Sequence, residues 1–289
     1  MSSQNLIKHV SDTAYWIAAY RAKESARTDA LFHDPLAARL AEGHGQAIVA
    51  QMEKLGSRKP MEWSVAIRTI VIDNYIRAAI DDGVDLVLNL GAGLDTRPYR
   101  LDLPQALQWI EADFSGIISL KEKVLQNEKP RCQLQRVTID LSDEAARGSF
   151  LDQVNTKGRK VLVLTEGVVP YLSLDQAASL AKDLARQAHF KYWVTDYFST
   201  FFMQLYIQGK VGMGIKENAP FRFFPENWEQ FFATKGGRKQ ELRFLSDDGE
   251  KLSRPAPAPL FFKIMRLITP KSKLEKFKNM FGYALLTRQ

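Results

Sequence analysis

The segment NLGAGLDT, residues 89–96, closes the short apolar run LVLNL at 86–90. A continuous apolar run of this length is typical of a strand that is buried on both faces. The glycine-rich turn that follows lets the backbone approach a ligand closely and leads into the free amides of the next helix. The alternative is a tight strand-to-helix turn that binds nothing. The segment therefore predicts the first strand–helix unit of an α/β domain, with a candidate binding loop at its turn.

Strand-like runs recur along the chain on both sides of helical segments. Strands are predicted at 86–90, 107–112, 132–139, 160–165, 190–195, 239–244 and 283–287. Helices are predicted between the first five of them, at 114–126, 143–154 and 174–187. This alternation favours a parallel sheet covered by helices on both faces.

Different patterns flank this core. The alanine-rich stretch 12–40 predicts helices interrupted near Pro35, because proline disfavours helix in the residue before it, and 63–80 predicts another helix. An aromatic-rich stretch at 197–228, with glycines at 209, 212 and 214, is either a mobile lid or a helix pair that completes the core. We predict an N-terminal helical extension (1–82), a binding core (83–197), a lid insertion (198–226) and the remainder of the core sheet (227–289).

Composition excludes several classes of protein. The chain has 289 residues, of which 45% are hydrophobic, and this content is sufficient for a packed core. The single cysteine excludes an intrachain disulfide, and the four scattered histidines predict no metal centre. No apolar run approaches the ~18–20 residues of a membrane span, and the first 16 residues lack a secretory h-region. We therefore expect a cytoplasmic protein without a membrane partner.

The net charge of +7 raises the question of a nucleic-acid partner. The cations are dispersed, however, and the densest cluster, at 263–278, is typical of a solvated helix face. The charge pattern therefore disfavours nucleic acid.

Acidic residues follow the predicted strands where a ligand would bind, since ligands of open α/β sheets gather at the carboxyl ends of strands. Asp113 lies 20 residues after Gly93, the spacing at which an acid accepts hydrogen bonds from ribose hydroxyls. Its alternative role is to cap the following helix. Glu111 lies on the same strand, and we expect it to face elsewhere.

Two further strands end in acids. Asp140 and Leu141 could contact an adenine, or Asp140 could only cap the next helix, and Glu166 follows the fourth strand. Thr96 occupies the position of the third glycine in the dinucleotide fingerprint. Because that glycine makes room for a pyrophosphate, its absence argues against NAD or FAD and favours a nucleoside without a diphosphate.

Several blocks then occur in a fixed order: AAYRAKES (18–25), RTDALFHDPLA (27–37), RTIVID (68–73), NLGAGLDTRPYRL (89–101), EADF (111–114) and TEGVVPYL (165–172). Together they resemble the leucine carboxyl methyltransferase family, including bacterial relatives that act on polyketides and other small molecules. The resemblance implies a seven-stranded, mostly parallel, Rossmann-like methyltransferase sheet with an N-terminal helical extension and an inserted helical lid. It also implies S-adenosylmethionine (SAM) as the methyl donor, with S-adenosylhomocysteine (SAH) as product.

The resemblance assigns a role to eight residues: Arg68 to the methionine carboxylate, Gly91 and Gly93 to the loop under the cofactor, Asp113 to the ribose, Asp140 and Leu141 to adenine, Glu166 to the methionine end, and Arg21 to closure from the N-terminal extension. Arg68 has an alternative partner in Asp73, although side chains five positions apart on a helix are poorly aligned. The segment EADFS (111–115) lacks a proline that many relatives carry after the acid, and we expect only the turn to change.

The expected reaction is methyl transfer to a carboxylate or hydroxyl oxygen of a small, hydrophobic acceptor, with no prediction of oligomeric state. A carboxylate is already ionised, whereas a hydroxyl benefits from a general base, for which Tyr171, Asp196 and Tyr197 are candidates. Three alternatives remain: a protein C-terminal carboxyl methyltransferase, a SAM-binding module without activity, and a short-chain NAD-dependent dehydrogenase. The last is suggested by the spacing of Tyr206 and Lys210.

Overall fold

A computed structural model describes residues 11–54, 58–211, 219–257 and 269–288, with only the backbone described for 52–54, 58 and 59. The glycines at 212 and 214, and the basic positions 263 and 266, lie outside the described residues. The strands of the described part form one seven-stranded sheet in the order β3-β2-β1-β4-β5-β7-β6. They are β1 (Leu86–Leu90), β2 (Gln108–Asp113), β3 (Gln133–Thr138), β4 (Val161–Thr165), β5 (Phe190–Phe198), β6 (Gly237–Phe244) and β7 (Phe281–Arg288). The fold class predicted from the sequence is confirmed.

The first five strands are parallel, and helices connect them. The helices of the described part are α1 (Asp12–Ser25), α2 (Pro35–Ala41), α3 (His44–Lys54), α4 (Arg58–Asp81), α5 (Arg97–Arg100), α6 (Ser115–Leu125), α7 (Glu144–Asn155), α8 (Leu174–Arg186), α9 (Thr200–Ile207), α10 (Trp228–Ala233), α11 (Leu245–Lys251) and α12 (Lys271–Lys278). A 3₁₀ turn spans Val169–Tyr171. Among the described helices, none combines the length and apolar character needed to cross a membrane.

Both faces of the sheet are covered, as the continuous apolar runs predict. In β1, Leu88 and Leu90 pack into one buried cluster and Val87 into a second one on the opposite face. In β4, Val163 and Leu164 divide between the two clusters in the same way. Side chains of alternate parity thus reach separate apolar layers, and the sheet lies between those layers.

The N-terminal extension supplies most of a third buried cluster, which also includes Leu94 and residues of α6. The break near Pro35 is where the sequence predicts it: α2 begins at Pro35, and the Asp34 side chain caps it by accepting a hydrogen bond from the Ala37 amide at 3.1 Å. Trp16 and Tyr20 of α1 pack in this cluster together with Leu94, which follows the glycine turn. The extension is therefore packed directly against the candidate binding loop.

The last strand, β7, lies antiparallel between β5 and β6. Its register places Tyr283 directly opposite Asp196 of β5. Strand β7 thus places a side chain beside the carboxyl end of β5.

Candidate functional site

A cavity of about 790 Å³ lies along the carboxyl ends of the five parallel strands, β1 to β5. A volume of this size falls within the ~300–1,000 Å³ that is usual for small-molecule sites. Its lining includes all eight residues that the sequence assigns to a cofactor, namely Arg21, Arg68, Gly91, Gly93, Asp113, Asp140, Leu141 and Glu166. Two of the three candidate bases, Tyr171 and Asp196, line it as well.

The glycine turn lines the cavity and has a backbone conformation that favours glycine. Gly91 and Gly93 adopt positive φ values of 65° and 48°. A Cβ atom at Gly91 would lie 2.5 Å from Cγ2 of Val168, so a side chain there would be both strained and obstructed. The Gly91 amide donates to the Ala112 carbonyl at 2.8 Å, which ties the turn to the end of β2. Glycine at this position is thus required by the fold of the loop.

Asp113 links the same turn to the second strand. Its carboxylate accepts hydrogen bonds from the amides of Gly93 at 2.6 Å and Phe114 at 2.7 Å, and the residue is 8% exposed. Burial raises the pKa of the Asp113 carboxyl. A carboxylate can accept about four hydrogen bonds, so these two amides leave room for donors from the cavity.

Glu111 does not line the cavity, in agreement with the expectation that it faces elsewhere. Its carboxylate is fully buried and forms ion pairs with Lys121 at 2.7 Å and with Arg136 at 2.9 Å. Because Glu111 and Asp113 are two positions apart, strand alternation does not separate them. Asp113 is the last residue of β2 and reaches the cavity, whereas Glu111 lies further inside the strand and is paired with Lys121 and Arg136.

Asp140 lies at the exposed rim, where it accepts hydrogen bonds from the amide and the hydroxyl of Ser142 at 2.8 and 2.7 Å. These bonds hold the pKa of the Asp140 carboxyl below its usual range. The alternative that Asp140 caps the next helix is wrong, because Asp143 caps α7 by accepting from the Ala146 amide at 3.0 Å. Asp140 and Leu141 form an acidic and apolar rim beside the end of β3.

Arg68 and Glu166 meet in the middle of the cavity wall, with Arg68 Nε 2.9 Å from Glu166 Oε1. Arg97 donates to the second carboxylate oxygen at 2.8 Å. Burial alone would raise the pKa of Glu166, but the charges of Arg97 and Arg68 outweigh it and the pKa is lowered. The alternative pairing of Arg68 with Asp73 is wrong, since Asp73 binds Arg97 at 2.7 Å and Arg100 at 2.6 Å.

These ion pairs continue into the N-terminal extension. Arg21 donates to Asp34 at 2.9 Å and to the Leu94 carbonyl, and Asp34 also accepts from the Thr96 hydroxyl at 2.7 Å. Arg21 thus lines the cavity while its guanidinium binds the loop and the extension. Asp34 and Arg97 lie within the sequence blocks 27–37 and 89–101, but no site role was predicted for either.

Asp196 lies in the wall between β4 and β7. It is 5% exposed and accepts a hydrogen bond from the Gly167 amide at 2.9 Å and another from the Tyr283 hydroxyl. Burial raises the pKa of Asp196 to about 6, although Arg68 and the Tyr283 hydrogen bond oppose the rise. Tyr283 was missed, because only the antiparallel register of β7 brings it here.

The two tyrosine candidates differ. Tyr171 faces the cavity, and burial raises its pKa to about 12, so it is a neutral hydroxyl near pH 7. The prediction of Tyr197 as a candidate base is wrong, because Tyr197 does not line the cavity. Its ring packs on Trp228 and Phe244, with centroids 5.4 and 5.7 Å away. Its neighbour Asp196 occupies the cavity face, and successive strand residues point to opposite faces.

The far end of the cavity is aromatic. Phe198 and Phe202 stack with centroids 4.8 Å apart, and Tyr206 and Phe221 stack at 5.0 Å. Phe223, Trp228 and Phe232, from the same part of the chain, pack in the interior. Among the described residues, this stretch therefore lines the cavity with some of its rings and completes the core with others.

The sequence model of the leucine carboxyl methyltransferase family matches residues 14–185. A protein of Parafrankia sp. (strain EAN1pec) is 35% identical over 184 residues, which are 61% of this chain and 59% of its own. A protein of Frankia alni is 28% identical over 263 residues, 86% of this chain and 90% of its own. Both are named as S-adenosyl-L-methionine-dependent methyltransferases.

The chain spans only 59–62% of the length of the first three curated relatives that it matches. Two solved structures share the fold over 96% of this chain at 15% identity. One is a DUF574 family protein of Streptomyces avermitilis with a TM-score of 0.55, matched over 97% of its length. The other is a Thermobifida fusca protein named as a methyltransferase, with a TM-score of 0.57 and 94% coverage. At that identity the likeness concerns the fold alone.

Proposed function

This chain belongs to the leucine carboxyl methyltransferase family, a family of SAM-dependent methyltransferases, and we propose that it methylates an oxygen atom of a small, hydrophobic acceptor. The observation that carries the proposal is one continuous cavity with two chemically different ends. The end formed by β1, β2 and β3 carries the glycine turn and the acids, and the end beyond β5 is aromatic. One end suits a nucleoside and the other an apolar acceptor.

The residues present fit SAM. The Asp113 carboxylate has acceptor capacity left for ribose hydroxyls, and it lies beside the positive-φ turn at Gly91 and Gly93. Arg68 and Glu166 supply one cation and one anion side by side, which matches the carboxylate and the ammonium of a methionine end. Asp140 and Leu141 flank the position that adenine would take at the rim.

Bound SAM supplies a methyl group on a positively charged sulfur and so brings its own activation. The chain's residues have to hold donor and acceptor in line, and such positioning contributes up to about 7–11 kcal/mol to catalysis. The aromatic walls formed by Phe198, Phe202 and Phe221 exclude water and hold an apolar acceptor. Positioning of the donor and binding of the acceptor therefore require only side chains that line the cavity.

Calorimetry and a transfer assay test the proposal. SAM should bind with an affinity in the micromolar range and NADH should not bind; NADH binding in place of SAM would restore the dehydrogenase alternative. Radiolabelled SAM should then transfer its methyl group to members of a panel of hydrophobic phenols and carboxylic acids. Transfer only to a peptide that ends in leucine would favour the protein carboxyl methyltransferase, and SAM binding without transfer to any acceptor would favour the binding module.

A further inference from the structure

We propose that the methylated atom is a hydroxyl oxygen on an aromatic ring and that Asp196 takes the proton from it. This inference rests on the proposed function and specifies its substrate class. It departs from the carboxylate chemistry for which the family is named.

Asp196 stands where the two ends of the cavity join. On β5, Asp196 and Phe198 are two positions apart and therefore share the face that lines the cavity. The Gly167 amide, which Asp196 binds at 2.9 Å, directly follows Glu166 at the donor end. An acceptor that rests on Phe198 thus presents its polar group to Asp196, next to the position of the methyl group.

The charges around this junction disfavour an ionised carboxylate acceptor. The groups that face Asp196 are Arg68 of α4, Glu166 after β4, Tyr171 of the 3₁₀ turn and Tyr283 of β7. Arg68 is the cation among them, and it is already paired with Glu166 at 2.9 Å. The lysine and arginine at 210 and 222 that line the cavity are exposed. A carboxylate here would meet two acids, whereas a neutral hydroxyl can donate to Asp196.

The balance of acidity also favours a phenol. A phenolic hydroxyl has a pKa of about 10. This value is much closer to the pKa of a carboxyl group than the pKa of an aliphatic alcohol is. Burial raises the pKa of Asp196 to about 6, which reduces the difference between its pKa and that of a phenol. At neutral pH Asp196 is still ionised and can accept the proton. The stacked rings of Phe198 and Phe202 are suited to an aromatic acceptor.

The reaction step balances without a further reactant. The hydroxyl proton moves to a carboxylate oxygen of Asp196 while the hydroxyl oxygen forms a bond to the methyl carbon. The carbon–sulfur bond breaks, and its electron pair stays on sulfur, which becomes neutral. Asp196 returns the proton to solvent after the product leaves.

The test compares 2-naphthol with 2-naphthoate, two ligands with the same ring system, by calorimetry on the protein saturated with SAH at pH 7.5. At this pH the naphthoate is ionised and the naphthol is neutral. Wild-type protein should bind 2-naphthol about tenfold or more tightly than 2-naphthoate, the scale of one hydrogen bond to a charged group. Asp196→Asn should reduce that preference severalfold. Tyr197→Phe, which removes a hydroxyl on the opposite strand face, should keep it.

Equal or tighter binding of 2-naphthoate by the wild-type protein would overturn the inference, and so would an unchanged preference in a folded Asp196→Asn variant. If SAH binds and neither naphthalene does, the aromatic-hydroxyl assignment is wrong and the proposed function still stands. If SAH itself does not bind, the proposed function fails and this inference fails with it.

Discussion

The Nε atom of Arg68, on a helix of the N-terminal extension, lies 2.9 Å from Oε1 of Glu166 at the end of β4. Arg97 binds the other carboxylate oxygen, and the two arginines together hold the pKa of Glu166 below its ordinary value. Both members of the pair are therefore charged at neutral pH. The pair joins the extension to the carboxyl edge of the sheet and presents opposite charges to the cavity.

Arg68→Met should weaken SAM and leave adenosine unaffected. Adenosine has the ribose and the base but no methionine carboxylate, so it cannot use the guanidinium. We expect SAM affinity to fall by about 1.5–3 kcal/mol, the scale of a hydrogen bond to a charged group. Calorimetric titration with both ligands measures the difference. An equal loss for adenosine would show that Arg68 acts through the general shape of the cavity.

Asp113→Ala should weaken SAM and adenosine alike, because both carry the ribose hydroxyls that this carboxylate is expected to bind. The expected loss is again about 1.5–3 kcal/mol for each ligand. Asp143→Ala is the matched control: Asp143 is also an acid after a strand, but it caps α7 and is not part of the cavity lining. Unchanged affinity in Asp113→Ala would remove the ribose role.

Asp196→Asn should stabilise the unliganded protein at neutral pH. The pKa of Asp196 is raised from 3.8 to about 6 in the folded state, so ionisation there opposes folding. The wild-type protein therefore loses stability as pH rises from about 4 to 6, and an asparagine avoids this loss. Since one pKa unit is worth about 1.4 kcal/mol, the gain at pH 7.5 should be about 1–3 kcal/mol. Urea unfolding at pH 7.5 and at pH 4 measures it; a gain of equal size at both values would contradict the assignment.

Tyr283→Phe should move the acid limb of the pH–rate profile to higher pH. If Asp196 is the base, the rate with a phenolic acceptor rises with pH as Asp196 loses its proton, near pH 6. The Tyr283 hydrogen bond stabilises the carboxylate and lowers its pKa, so removing the hydroxyl raises that pKa. Initial rates measured between pH 5 and 9 give the position of the acid limb in the two proteins. An acid limb at the same pH in both would show that the Asp196–Tyr283 hydrogen bond does not control it.

Asp73→Asn should destabilise the fold by about 3–5 kcal/mol, the usual cost of breaking a buried ion pair. Asp73 is fully buried and holds both Arg97 and Arg100, which would lose an ionised partner. The control is Asp82→Asn, an exposed acid paired with Lys160, and it should leave the urea midpoint nearly unchanged. Similar midpoints for the two variants would show that the buried network adds little to stability.

Much of this site could be predicted from the sequence because its parts are local. Gly91 and Glu166 each follow a strand by one residue, Asp113 is the last residue of its strand, and parallel strands end at one edge. The pattern of apolar residues and the spacing of glycines and acids are sufficient to predict these residues, since neighbouring residues along the chain determine where a strand ends.

Only the tertiary structure determined which side chains of the site contact one another. The partner of Asp196 depends on the antiparallel register of β7, and a shift of one residue would turn Tyr283 to the other face. The partners of Arg68 and Asp73 come from different elements, because the packing of α4 on the sheet places them beside Glu166, Arg97 and Arg100. The sequence by itself determined the order of strands and helices and the acids at the strand ends. Packing and register decided the charges, pKa values and pairings that make those acids a site, because these depend on distances between residues far apart in the chain.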